Sequence, residues 1–431
     1  MRIRRTVSNH GGVLVVTIII CALLGLMLAA YLSMISGQQT FTQRSQVWNN
    51  CIPICEAGVE EALAHLNHNL TTSNFAINGW VLSGGAYRKE RTLGEASYVV
   101  SIDTNYPPAI RSTGRLQAPT QTNLISRTIQ VQTKINQQFP NAILSKSKII
   151  CGGGGRIDSF NSTNLLESVN GQYSALLATD RAKVTTTSRT PGDISVGNVS
   201  IYGSVGTGPG GTVVLQPIGN VGSTIYNNNP AYNGTIEPGH IADDVNVYIP
   251  DGQLPVPFGP TWTPGAGNLG ATNYTYLLDR EGDYQINSIS LGSGQKMMIT
   301  AKVRLYVVGT TSVGGGSGEV IIGNGGSVEW YAGGDVSLAG KGLINVPGLA
   351  KNFSLIGLNS CHDVTYAGSS QFIGTVYAPA AKVTITGTAD AFGALAGKEV
   401  DLNGTFSFHY DEALQGSPKR GRFLAASWQE L

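Results

Sequence analysis

Two clusters in this chain set a histidine beside carboxylates: His362-Asp363 and His409-Tyr410-Asp411-Glu412. Such groups could move protons at a bond being broken, provided they converge in a cleft. His362, Asp363, His409, Asp411 and Glu412 are therefore the candidate catalytic residues, and polysaccharide is the substrate class considered below. Each cluster has a plainer reading. His362-Asp363 reads as a turn. His409 to Glu412 reads as a polar cap on the exposed end of a last coil. Asp243-Asp244 and Asp279-Arg280-Glu281-Gly282-Asp283 also read as turns, and no paired carboxylates share matching flanks.

No cofactor or metal site is expected. Gly152 to Gly155 and Gly314-Gly-Gly-Ser-Gly318 lack the Lys-Ser/Thr and helix of a phosphate loop, so both read as turns. The Gly-Gly-x-Gly-x-Asp repeat of calcium-binding rolls is absent. Cys51 and Cys55 lie four apart on one helix, a poor geometry for a disulfide, and no zinc-like ligand set surrounds them. Cys21 reads as packing, and Cys151 and Cys361 could pair only if the fold brings them together. Net charge is +1 with 13% charged residues, which gives no basic surplus for nucleic acid.

The elements that would carry these residues begin with an apolar run, Val13 to Ile35, behind Arg2, Arg4 and Arg5. As a helix it spans ~35 Å, enough for a ~30 Å hydrocarbon core. A cleaved signal ending near Leu28-Ala29-Ala30 competes with a retained helix. Retention is favoured because Trp48, Ile52, Cys55, Val59, Ala62, Leu63, Leu66 and Leu70 continue the pattern at steps of three and four. Pro53 is expected to kink this helix. The arginines put the N-terminus in the cytoplasm.

Downstream, Tyr98 to Ile102 and Thr128 to Gln132 alternate as half-buried strands do, giving a small α+β unit. Glycine, at 56 of 431 residues, demands many tight turns. From Val303 onward short strands recur after roughly 20–25 residues, the texture of a solenoid. A right-handed parallel β-helix is favoured over a β-sandwich. Excursions are expected between Gly203 and Gly270. The expected organisation is a leader at 1–12, a transmembrane helix at 13–36 and its amphipathic continuation at 37–70. A small β region at 71–140, a β-helical domain at 141–415 and a basic flexible tail at 416–431 follow.

Residues Gly12 to Leu66 resemble the N-terminal region of PilX-type minor pilins of the type IV pilus system. The likeness is a basic leader, a glycine, an apolar helix, a polar spacer and Cys55-Glu56-Ala57-Gly58-Val59-Glu60-Glu61-Ala62-Leu63. That stretch is similar to the family's Ala-Glu-Ala-Gly-hydrophobic-Glu-x-Ala pattern. Gly374-Thr-Val-Tyr377-Ala-Pro379, the Val-Thr-Ile-Thr-Gly387 pattern and Phe408 to Leu414 resemble a glycine-rich β-helical domain of unknown function. Such domains are attached to pilin-like N-termini in bacterial surface proteins.

The resemblance implies a small pilin-like neck, processing at Gly11 or Gly12, and an assembly helix marked by Glu56, Ala57, Gly58 and Glu60. It implies a single-pass bacterial inner-membrane protein whose bulk is periplasmic or surface-exposed. Its partners would be the membrane, other pilin-like subunits and a surface glycan. One departure stands out: the glutamate five residues after the processed glycine is replaced by Val16 or Thr17. A minor component or a simple anchor then fits better than a major filament subunit. The expected function is non-enzymatic adhesion or partner contact, and the alternative is a membrane-anchored β-helix enzyme acting on surface polysaccharide.

Overall fold

A computed structural model describes residues 10–69, 75–119, 123–135, 139–255, 257–387, 389–404, 407–416 and 423–431. Arg2, Arg4, Arg5, Leu70, Phe406 and residues 417–422 lie outside the described residues. The protein is mainly β with one long N-terminal helix. It divides into two units, Met1–Asn136 with Gly421–Leu431, and Gln137–Arg420.

In the N-terminal unit, helix α1 runs His10–His68 and continues through Pro53 without ending. At ~1.5 Å per residue it is ~90 Å long. Its first half is uncovered: the large apolar side chains from Val13 to Met34 are 48% to 71% exposed. This helix is long and apolar enough to cross a membrane. The second half is one-sided. Cys51, Cys55, Gly58, Val59, Ala62 and Leu66 are buried, whereas Pro53, Glu56, Glu60, Ala64 and His68 are exposed. Both sets step by three and four. Trp48 departs from the expected buried face; it is exposed, and the Arg127 guanidinium lies 4.9 Å from its ring centre.

The packed half of α1 lies on an antiparallel meander of β1 (Val81–Ser83), β2 (Ala86–Leu93), β3 (Ala96–Asp103), β4 (Ala109–Gln117) and β5 (Leu124–Ile135). Tyr98, Val100 and Ile102 alternate inward along β3 and meet Val59 and Leu66 in one core. Two glycines let helix and sheet approach. A Cβ at Gly58 would stand 2.3 Å from Ser112 Oγ, and one at Gly114 would stand 2.7 Å from the Cys51 carbonyl oxygen.

A flexible tail does not describe the end of the chain. Phe423–Glu430 is a strand, paired antiparallel with β5 as the sixth of its sheet. Phe423 is buried in the helix–sheet core, which gives this segment a reason to order.

The second unit is built of parallel ladders. It begins with β6 (Ile143–Ser145), β7 (Ile149–Phe160), β8 (Ala182–Thr186) and β9 (Pro191–Gly206). These pair in parallel with one another and then with Thr212–Leu215, Asn220–Gly222 and Ile241–Ala242. Val245 to Tyr248, though rich in β-formers, is irregular backbone. Parallel pairing resumes at Gly282–Ile286. It proceeds through Lys302–Val307, Ser327–Ala332, Phe353–Gly357 and Phe372–Gly387 to Ala391–Gly404. Short strands such as Val336–Leu338 bury their two ends and expose the middle residue, as a period of two requires.

The two runs join in the middle of the stack. Strand Ala391–Gly404 pairs with β6 and β7, and Phe408–Asp411 lies between Ala391–Gly404 and β7. Inward residues continue across this junction in register. One row reads Phe372, Ala391, Phe408, Ile157, Ile201. Another reads Val383, Val400, Ile149, Ile194. The glycines Gly152 to Gly155 belong to β7, not to a turn. A Cβ at Gly153 would fall 1.3 Å from the Gly404 carbonyl oxygen, so only glycine fits this close approach.

Gly114→Ala should force the α1 backbone off β4 and cost roughly 1–3 kcal/mol, as overpacking does. Chemical denaturation of the wild-type and variant chains followed by circular dichroism checks it; an unchanged midpoint would remove the close-approach account.

Candidate functional site

His409 and Asp158 are register partners across the junction. Phe408 and Ile157 point inward, so alternation sends their neighbours outward. The segment between β7 and β8 then covers them. Its Tyr173 stacks on the His409 ring at 3.7 Å between centres, and Phe392 adds a second ring at 4.9 Å. Asp158 is fully buried and His409 is 2% exposed.

Three groups meet the Asp158 carboxylate, His409 and Tyr173 by hydrogen bonds and Arg156 as an ion pair only. His409 Nδ1 lies 2.5 Å from Oδ1, Tyr173 donates its hydroxyl to Oδ2 at 2.8 Å, and Arg156 Nε lies 2.8 Å from Oδ2. The Arg156 guanidinium also sits 4.2 Å from the centre of the Tyr202 ring. Burial first, and then the adjacent Asp158 charge and hydrogen bond, push the Tyr173 phenol well above its ordinary range. Tyr173 therefore stays a donor. On its other side His409 Nε2 is 3.7 Å from Asp390 Oδ2.

Asp411 and Glu412 tie the same junction. Asp411 Oδ1 accepts the Ser162 and Ala413 amides at 3.0 and 3.1 Å. Burial pushes the Asp411 carboxyl above its ordinary value, and the Ser162 hydrogen bonds only partly oppose this. Glu412 accepts Arg181 Nε at 2.9 and 2.8 Å and the Thr179 hydroxyl at 2.8 Å. Arg181 also reaches Glu167 at 2.6 Å, and these two carboxylates raise its pKa. His409 to Glu412 therefore do not cap an exposed end. They close the junction between the early and late strands of this unit.

His362 and Asp363 share no partner with that cluster. Both are exposed, and their amides donate to Asp335 Oδ1 at 2.8 and 3.0 Å. Asp335 lies 27 and 28 positions earlier, next to the strand that pairs with Asp363–Tyr366, so these are contacts between neighbouring strands and not the expected turn. Among the described residues, no group of three or more His, Cys, Asp or Glu could hold a metal ion. All five cysteines are free thiols; burial pushes Cys151 and Cys361 up to about 12.

On α1, Glu56 and Glu60 are exposed, Ala57 is half-buried and Gly58 is buried. Gly11 and Gly12 lie in the first turn of the helix. The carboxylate that binds the sheet is Glu61. It accepts the Tyr98 hydroxyl at 2.6 Å and lies 3.0 Å from Lys89 and 3.2 Å from Arg91. Burial alone would raise the Glu61 pKa, but these hydrogen bonds and charges outweigh it and hold it below the ordinary value.

The sequence picked out His409, Asp411 and Glu412 but missed Asp158, Arg156, Tyr173 and Arg181. Arg156-Ile-Asp158 does carry a signal, since alternation in a strand puts both charges on one face.

His409→Ala should cost about 3 kcal/mol or more, because Asp158 loses a partner while staying buried. Denaturant midpoints at pH 7 measure it. Asp411→Asn should behave in the opposite sense. A carboxyl whose folded pKa lies above its unfolded value binds protons more tightly when folded, so stability falls as pH rises from about 3.8 through the folded pKa. Asn retains the Oδ1 acceptor. The variant should match or exceed wild type at pH 7 and lose this part of the slope above pH 4, as melting at stepped pH would show.

Residues 268–417 match the model of a domain of unknown function, DUF7305. No curated protein matches the chain. A solved structure, the competence-associated pilin ComZ from Thermus thermophilus, aligns with 10% identity over 89% of this chain and 97% of that one. Its TM-score is 0.27, a level that carries no fold assignment.

Proposed function

We propose that this protein is a non-enzymatic, single-pass envelope protein and a minor pilin-like component of a type IV pilus or pseudopilus. The N-terminus is cytoplasmic, the anchor sits in a bacterial inner membrane, and the bulk lies outside it. The parallel-strand unit is read as a right-handed parallel β-helix that presents a stiff surface for adhesion or partner contact, including a surface glycan.

The observation that carries this reading is the division of α1. Its first half exposes unbroken apolar surface that water would penalise at roughly 25 cal/mol per Å2. Its second half is locked on a sheet through Gly58 and Glu61. A bilayer or a set of like helices is the environment that suits the first half. Val16 and Thr17 stand where a carboxylate would meet a neighbour's amine, and the Thr17 hydroxyl donates to its own helix at the Val13 carbonyl. That favours a minor place over a repeating filament subunit.

A role without catalysis is supported by the filled surroundings of His409. Two rings and two carboxylates stand around it, and its own side chain is 2% exposed.

Membrane fractionation followed by N-terminal sequencing should find the chain in the membrane, with a mature start no later than Gly12. A soluble product beginning after Ala30 would defeat the anchored reading. Incubation with surface glycans should give no turnover, and turnover abolished by Asp363→Ala or Asp411→Ala would establish the enzyme instead.

A further inference from the structure

The C-terminal strand Phe423–Glu430 is held to its sheet in an unusual way. Its partner, β5, lies far upstream; Glu430 and Arg127 pair across 303 positions. Only Phe423 is buried, and the side chains from Leu424 to Glu430 are exposed. The ladder is interrupted by a bulge between Ala425 and Ser427. The two ends carry the specific contacts. At one end the Asn67 side chain clamps Phe423, accepting its amide at 2.7 Å and donating to its carbonyl at 3.1 Å. At the other, Arg127 Nε donates to Glu430 Oε1 at 2.7 Å.

The receptor for this strand is complete without it. Helix α1 and β1 to β5 are contiguous in sequence and share one core to which Phe423 adds a single ring. Removing the strand would open the β5 edge, the Phe423 pocket, the Asn67 amide and the Arg127 guanidinium together. An open edge with unpaired main-chain groups takes up another strand. The strand that fits all four features is residues 423–430 of any copy of this chain.

We infer that the C-terminal strand is exchangeable: β5 can be completed by the strand of its own chain or by that of a second copy, which links copies through their sheets. Strand addition satisfies the same main-chain groups in either arrangement, so the choice is set by the local concentration of copies.

Gln130 and Gln429 are register partners in this ladder. The full chain in detergent is prepared in a Cys21→Ser background, because Cys21 is the exposed native thiol. One tagged form carries Gln130→Cys, a second carries Gln429→Cys, and a third carries both. On oxidation, the double variant should close within one chain. Co-expression of the two single variants should give a disulfide between differently tagged chains. A double variant that closes beside a mixture that yields no mixed-tag product overturns the inference. So does a mixture whose product joins two Gln429→Cys chains, since that is edge-to-edge pairing of intact sheets. Failure of the double variant to close overturns the ladder itself.

A second readout uses a peptide of residues 423–431 and the chain truncated after residue 422. Saturable binding is expected, weakened roughly tenfold or more by Phe423→Ala in the peptide. A folded truncated chain that takes up no peptide would also overturn exchange.

Discussion

One buried carboxylate constrains the parallel-strand unit more than any other group. An ionised Asp158 without partners would be too costly to keep from water. Its partners come from β7 itself, from the covering segment and from a strand 251 positions later. All three must be in place together. The inward rows specify the register of the strands, because a one-residue slip would turn every apolar side chain outward. The Asp158–His409 pair specifies which strand meets which. Apolar rows of Val, Ile, Leu and Phe would tolerate several partners; a charge that needs one histidine and one tyrosine does not.

The N-terminal unit works by a different device. Gly58 and Gly114 remove side chains where helix and sheet touch, and Glu61 supplies a directed contact at the same level. Close approach increases dispersion contacts, and the hydrogen bond to Tyr98 fixes the helix in rotation. This explains how half of a long helix can be rigidly seated while the other half stays uncovered.

Local patterns were readable from the sequence, and distant ones were not. Steps of three and four identified the packed stretch of α1, and alternation identified Tyr98 to Ile102 and Thr128 to Gln132 as strands. Trp48 misled because a cation, not the core, covers its ring. Gly152 to Gly155 read as a turn because local propensity carries no trace of Gly404, whose backbone is what excludes a side chain there. Phe423 to Glu430 looked like a loose tail, since seven of its eight side chains face solvent and the edge it completes lies at the other end of the chain. His409 was visible as a residue of interest, but its role depended on Asp158, and no spacing rule connects the two.

The junction also settles how the second unit would bear load. Its first strand, β6, and its last, Phe408–Asp411, are both held at the meeting point of the two runs. Phe408–Asp411 runs parallel to β7, so the chain enters β7 at one end of the ladder and leaves its neighbour at the other. Tension between the points where the chain enters and leaves would slide these strands along each other. Every hydrogen bond of the ladder would be strained at once, and the Asp158–His409 pair would be stretched with them. Separation in that direction is a shear, whereas peeling would break the same bonds one at a time. A pull along the chain in that direction would thus be resisted at the place where the chain enters and leaves the stack.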